Sequence, residues 1–315
     1  MYHPHLFARR AELLALRDLA PTLEISTTIS PILEAVKEDS RDLLRCMQVM
    51  GEAGMVASVI VNPVDGDFKS GDAVEAWRQS LNERFQLFPS MLPAYVCRPK
   101  STAQQIDAFL AAYPNRDVAL LYWSPKISNP TLTDLVGRPR IRFHINLHNQ
   151  MSAAQRGMLP TNKAVDVTDH FERCLRNADY GSPEFFSDDH LNYSTDSAGF
   201  GDFSIVGAQY IPGGGQAHAV AIHAIYKADD DALWVEHFIS DDTDLDVGTV
   251  EGKYLQAASK LTEATAARPA EFGQDIALEG FAADVENSTF PGLAVSKRRQ
   301  IYHHLALVHS LIYEP

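Results

Sequence analysis

Six short apolar runs, each followed by a segment of helical periodicity, constrain this chain more than any other feature. The runs cover residues 29–36, 55–61, 92–96, 118–123, 140–148 and 164–167. Between them lie helix-period stretches, such as 41–53 with Leu43, Leu44, Met47 and Met50 on one side, and 73–88, which Pro89 ends. A further helix over 104–112 follows the cap Ser101-Thr102, and the first, over 7–19, places Leu13, Leu16 and Leu19 opposite Arg9, Arg10 and Arg17. Strands alternating with helices are βαβ units, because a helical crossover is what returns the chain parallel to the strand it left. Six units in succession predict an α/β, TIM-barrel-like (β/α)8 fold rather than an open doubly wound sheet. No G-x-G-x-x-G follows the early strands, and Gly213-Gly214-Gly215 comes late and reads as a flexible turn.

Beyond Tyr180 the rhythm changes. Residues 217–226 and 232–239 are β-rich and separated by the turn KADDD, which predicts an antiparallel hairpin. Helices over 250–266 and 295–312 close the chain. The expected organisation is one barrel-like domain over 1–315, modified at its C-terminal part, with residues 181–248 as an acidic lip and hairpin.

With 45% hydrophobic and 22% charged residues the chain can bury a large core. A net charge of -14 argues against nonspecific nucleic-acid binding, which draws on clustered Lys and Arg. Cys46, Cys97 and Cys174 are odd in number and far apart, so reduced thiols are expected and a disulfide framework is not. The segment MYHPHLFARRAELLALRDLA has no signal-type apolar stretch, and no run approaches the ~18 apolar residues of a membrane helix. A cytoplasmic, membrane-free protein is the expectation.

In a barrel, function sits where strands end and the following loops begin. Glu34 and Lys37 end the first predicted strand and Asn62 the second. The strict alternation of 140–148 puts Arg142, His144, Asn146 and His148 on one face and Ile141, Phe143, Ile145 and Leu147 on the other, and Asp166 lies in the sixth. The catalytic candidates are therefore Glu34, Lys37, Asn62, His144, Asn146 and Asp166, as acid and base groups with mutually shifted pKa values, and Arg142 and His190 are candidates for substrate contact. The plain alternative is that Glu34 pairs with Lys37 or Arg17 and that Asn62 and Asp166 cap turns. His144 and His148 have H-x-x-x-H spacing, but Ile145 stands where a zinc peptidase needs Glu, and a strand holds the rings apart. Asp242, Asp244 and Asp246 open like a calcium loop, yet Lys253 occupies the bidentate-Glu position. Asp188 and Asp189, helped by Asp202, are candidates for binding Mg²⁺; the alternative is a solvated turn. Ser296-Lys297-Arg298-Arg299 with Tyr302, His303 and His304 is the one compact basic and aromatic patch, suited to a phosphate or acidic partner or to the wet face of a helix.

The blocks ISPILEAVK, VIVNPVDGDF, VDVTDHFERCLRNADY and above all FFSDDHLNYSTDSAGFGDFSIVGAQY give the chain a resemblance to a poorly characterised bacterial family related to the phage "beta protein" group. His3, His5, Phe7 and Ala8 depart from the more aromatic and basic run expected there. The resemblance implies a binding or sensor subunit on an enzyme-like scaffold, acting with a protein partner encoded nearby in a phage-defence or mobile-element cassette. It transfers no catalytic residue. The residues themselves keep open a hydrolase- or lyase-type enzyme that works by acid-base or metal-assisted chemistry on a small polar substrate.

Overall fold

The computed structural model describes residues 1–68, 71–193, 196–213 and 218–313. Two compact units emerge: Met1–Asp169 with Tyr193–Phe203, and His170–Asn192 with Ser204–Pro315.

The first unit runs β1 (His5–Leu6), α1 (Arg10–Leu19), α2 (Leu23–Thr28), β2 (Ile32–Leu33), α3 (Arg41–Glu52), β3 (Ala57–Ile60), α4 (Gly71–Leu87) and β4 (Met91–Cys97). It continues with α5 (Ala103–Ala112), β5 (Val118–Tyr122), α6 (Asn129–Val136), β6 (Ile141–Leu147), α7 (Ala153–Arg156) and β7 (Ala164–Thr168). In the second unit β8 (Glu184–Ser187) and α8 (Asp189–Asn192) follow, before β9 (Gly199–Asp202) rejoins the first. The rest of the second unit is β10 (Ala221–Lys227), β11 (Leu233–Ile239), α9 (Val250–Ala267), α10 (Pro269–Phe272), α11 (Ile276–Glu286) and α12 (Leu293–Tyr313).

All six predicted strands are present, as β2 to β7, in an eight-stranded sheet ordered β1-β2-β3-β4-β5-β6-β7-β9, every pair parallel. The helices begin where capping chemistry starts them: Thr102 and Gln105 form a reciprocal box ahead of α5, with Thr102 Oγ1 accepting the Gln105 N–H at 3.2 Å. The sheet closes into a barrel through Tyr2, which bridges Ile29 on one side and Phe200 on the other. The His3 N–H donates to the Phe200 carbonyl at 2.8 Å, and the Ser30 N–H to the Tyr2 carbonyl at 2.8 Å. Two glycines permit that approach. A Cβ on Gly201 would lie 2.1 Å from the His3 carbonyl oxygen, and one on Gly199, whose φ is +140°, 1.8 Å from the Met1 carbonyl oxygen.

The second unit holds the predicted hairpin, β10 against β11, and adds β8 antiparallel to β11. It is larger than the 181–248 elaboration expected from the sequence, because α9 and α11 bury Tyr254, Ala257, Leu261 and Phe281 with Ile222 and Phe238 of the hairpin in a core of their own. Residues 169–180 are irregular apart from one 3-10 turn, Asn177–Asp179. Phe171 and Tyr180 are spent on ring contacts with His223, at 5.1 and 4.6 Å. The Gly213–Gly215 turn lies mostly outside the described residues. Among the described residues no helix is long and apolar enough to cross a membrane.

Closure through backbone contact with Gly201 predicts that Gly201→Ala costs about 3 kcal/mol of stability, the upper range for forcing an atom into a filled site. Gly137→Ala, whose Cβ meets only ordinary contacts at 3.4 Å or more, serves as the control. Urea midpoints of the two variants check this; equal midpoints contradict it.

Candidate functional site at the strand C-terminal ends

Register decides which side chains enter the barrel. Tyr95 packs its ring on Phe109 of α5, 5.3 Å away, so its side of the sheet faces the helices. The pairings Tyr95 with Leu120, Leu120 with His144, His144 with Ala164, and Asn146 with Asp166 carry that outward face across four strands. The alternation of β6 is as predicted, but its polar face is the outer one. His144, Asn146 and Asp166 therefore do not line a central pocket. The Tyr122 hydroxyl and His144 Nδ1 lie 2.8 Å apart in a fully buried pair, and burial pushes the imidazole down to about 4. Asn146 donates to Asp166 Oδ1 at 2.9 Å, and Arg156 of α7 grips the same carboxylate through Nε and Nη2 at 2.6–2.9 Å. Asn146, Asp166 and Arg156 spend their polar atoms on one another and on the Met151 N–H, while His144 Nε2 is buried with no hydrogen-bond partner among the described residues.

The inward face carries other residues. His3 meets Phe143 at 5.0 Å, a contact between non-neighbouring strands that spans the lumen. His5 sits between Phe7, at 5.6 Å, and Phe203, at 4.8 Å, so aromatic rings close the centre of the mouth. Glu34 is buried here. It accepts from Arg98 Nη2 at 2.8 Å, and its Oε2 lies 3.4 Å from His5 Nε2, close enough for an ion pair but without hydrogen-bond geometry. Arg98 donates again to the Asn62 carbonyl at 3.0 Å. Burial alone raises the Glu34 carboxyl, yet His5 and Arg98 together outweigh it and hold the pKa below its ordinary value. Asp65 is displaced the other way, by burial and by the Glu34 charge. Among the described residues neither ring nitrogen of His5 has a hydrogen-bond partner, nor do the hydroxyls of Ser30, just before β2, and Ser58, on β3.

The opening lies to one side. Immediately after Phe7 and Glu34 a cleft of about 590 Å³ forms between the first turns of α1 and α3. Arg9, Arg10, Lys37, Arg41 and Arg45 line it, against two carboxylates, Asp39 and Asp42. Lys37 pairs with Asp67 at 3.2 Å and Arg41 with Asp39. Arg10 and Arg45 make no hydrogen bond or ion pair with any described residue. Ala8, on the cleft wall, has φ of +49°, a strained setting for a non-glycine residue. Cations at helix starts oppose the macrodipole, so Arg9, Arg10 and Arg41 occupy the end of their helices that favours an anion beside them.

The remaining candidates disperse. Lys37 is exposed and belongs to the cleft rather than to the Glu34 pair. The Asn62 side chain bonds both the N–H and the C=O of Val96, at 2.9 and 3.0 Å, and so extends the β3–β4 ladder. Arg142 is half-buried, with its guanidinium 5.4 Å from the Phe143 ring centre. Asp202 accepts the Tyr2 hydroxyl at 2.7 Å in the first unit, whereas in the second Asp189 pairs with His170 at 2.8 Å. His190 Nε2 bonds the Asp231 carbonyl at 2.9 Å. Among the described residues no group of three His, Cys, Asp or Glu is placed to hold a metal ion.

Sequence reasoning named Lys37 but passed over His5, Arg98 and the four arginines of the cleft as functional residues. The signal was present in Arg9-Arg10 and Arg41, basic residues placed where helix starts ordinarily favour acidic ones. Comparison with protein-family models, curated proteins and solved structures finds no match, so the reading of this site rests on its geometry.

Glu34→Gln removes one partner of a mostly buried pair and is expected to cost about 2–3 kcal/mol at pH 7. Because the folded carboxyl titrates below its ordinary value of 4.5, its stabilisation is complete above that pH and fades as pH falls through the folded value. The stability gap between wild type and variant should narrow below about pH 4.5. A gap that stays constant down to pH 3 or so would contradict this account of the pair.

Proposed function

We propose that the barrel unit is an anion-binding module whose ligand carries a phosphate or carboxylate group, taken up in the cleft between α1 and α3. The observation that carries this reading is the gathering of five cations, two of them without a hydrogen bond or ion pair among the described residues, at two helix starts in a chain of net charge -14. Guanidinium forks offer paired donors that match phosphate and carboxylate oxygens. Five cations gathered in one cleft repel one another, and an anion bound among them relieves that repulsion. This gives chemical content to the binding or sensor role.

A second reading is favoured by one specific feature. The Glu34 carboxylate stands beside a His5 ring with no hydrogen bond at either nitrogen, at the end of the barrel where catalytic groups gather. In that reading the bound anion extends toward Glu34, which acts as a general base, and the chain is a hydrolase- or lyase-type enzyme. The low pKa of Glu34 suits a base and not an acid at neutral pH.

Calorimetric titration with pyrophosphate at low ionic strength tests the first reading. Wild type is expected to bind, with affinity falling as salt rises. The double variant Arg10→Glu, Arg45→Glu, both positions being exposed, is expected to lose at least about tenfold, some 1.4 kcal/mol, without change in melting temperature. Equal binding by the variant, or no binding by wild type, would sink the proposal.

A further inference from the structure

A second, independent site lies within the C-terminal unit. The register of β10 against β11 sets His223 directly opposite His237, on one face of the hairpin. Their Nδ1 atoms are 2.8 Å apart, so one ring must donate and the other accept. The Tyr180 ring lies 4.6 Å from each, and both histidines are buried. On the far side of His237, Nε2 has no hydrogen-bond partner among the described residues but lies 3.7 Å from Glu184 Oε2 of β8.

Those distances select the tautomers. A carboxylate near His237 Nε2 attracts a proton there and repels a lone pair. His237 with Nε2–H has a bare Nδ1, which must accept. His223 then donates from Nδ1, and its own Nε2 is left as a bare lone pair. Burial keeps both rings neutral: it pushes His237 down to about 4 and His223 well below its usual value, with Lys297 adding to the effect on His223.

His223 lines a cavity of about 200 Å³ together with Asn177, Ser296, Lys297 and Gln300. With Nδ1 engaged, Nε2 is the ring nitrogen left to meet that space. Its frame is fixed: the Gln300 side chain accepts the His223 backbone N–H at 3.2 Å and donates to Ser296 Oγ at 3.1 Å. Lys297 Nζ donates to the Ile205 carbonyl at 3.0 Å and brings a cation to the same wall. The volume falls below the roughly 300–1,000 Å³ of drug-sized sites, which sets the scale of the ligand.

We propose that this cavity binds a small hydroxylated anion, its hydroxyl donating to His223 Nε2 and its carboxylate or phosphate facing Lys297. Glu184 and His237 act as positioning residues that hold the acceptor tautomer of His223. The site does not depend on the α1–α3 cleft, and the ligand need not be the same.

The experiment is two-dimensional ¹H–¹⁵N long-range NMR on the full chain with ¹⁵N-labelled histidine at neutral pH. His223 is expected to be protonated at Nδ1 and bare at Nε2, and His237 the reverse. D-glycerate and glycerol 3-phosphate, the two probes for the carboxylate and phosphate forms, should shift the His223 Nε2 signal, and propionate, which lacks the hydroxyl, should not. Lys297→Met should raise the half-saturating concentration at least about tenfold, and Glu184→Gln, which keeps the shape of a half-exposed side chain, should weaken the tautomer preference. A protonated Nε2 on His223, or the absence of a shift with both hydroxylated probes, would overturn the proposal; so would a shift of equal size with propionate.

Discussion

Tyr2 is hydrogen-bonded through its backbone on one side to Thr28 and Ser30, just before β2, and lies against β9 on the other, and the barrel unit depends on that double contact. Without it the eight parallel strands would be an open sheet with two unpaired edges. With it each strand has an inner and an outer face, and the strand C-terminal ends meet on one rim. The cost is steric, because three residues at the chain start must pass within van der Waals contact of β9. Gly199 and Gly201 meet that cost by having no side chain to place there.

Once the faces are fixed, the polar residues sort by what they touch. Outward ones find partners beneath the helices, as Asn146, Asp166 and Arg156 do, and spend their hydrogen-bonding capacity on the fold. Inward ones near the mouth form a different set, in which a carboxylate is shared by Arg98 and His5 and several donors and acceptors stay unmatched. Buried polar atoms without partners are expensive, and His5 on β1, Ser30 just before β2 and Ser58 on β3 each carry one or more, as His144 does on β6. The cationic cleft opens beside the first two of those strands.

Much of the architecture was legible. Apolar runs alternating with helices gave β2 to β7 and the parallel order, and the turn KADDD gave the β10–β11 hairpin. The two strands that complete the ring were not: β1 is two residues long, and β9, GFGD, is half glycine, the residue that weakens a strand signal. Alternation in β6 told that polar and apolar faces exist but not which one faced inward, since in a barrel both are covered. His144 and Asp166 were misplaced for that reason, while Glu34 was placed correctly at a strand end but with the wrong partners. The facing of His223 and His237 depends on hairpin register, which residue types alone do not set.

Whether the cleft between α1 and α3 takes an anion decides the function proposed for the barrel unit. Diffraction from crystals of the protein grown with tungstate, recorded at the tungsten absorption edge, reads this directly. An anomalous peak within hydrogen-bonding distance of Arg9, Arg10 or Arg45 is the predicted result. Tungstate bound elsewhere on the chain, with this cleft empty, would contradict it.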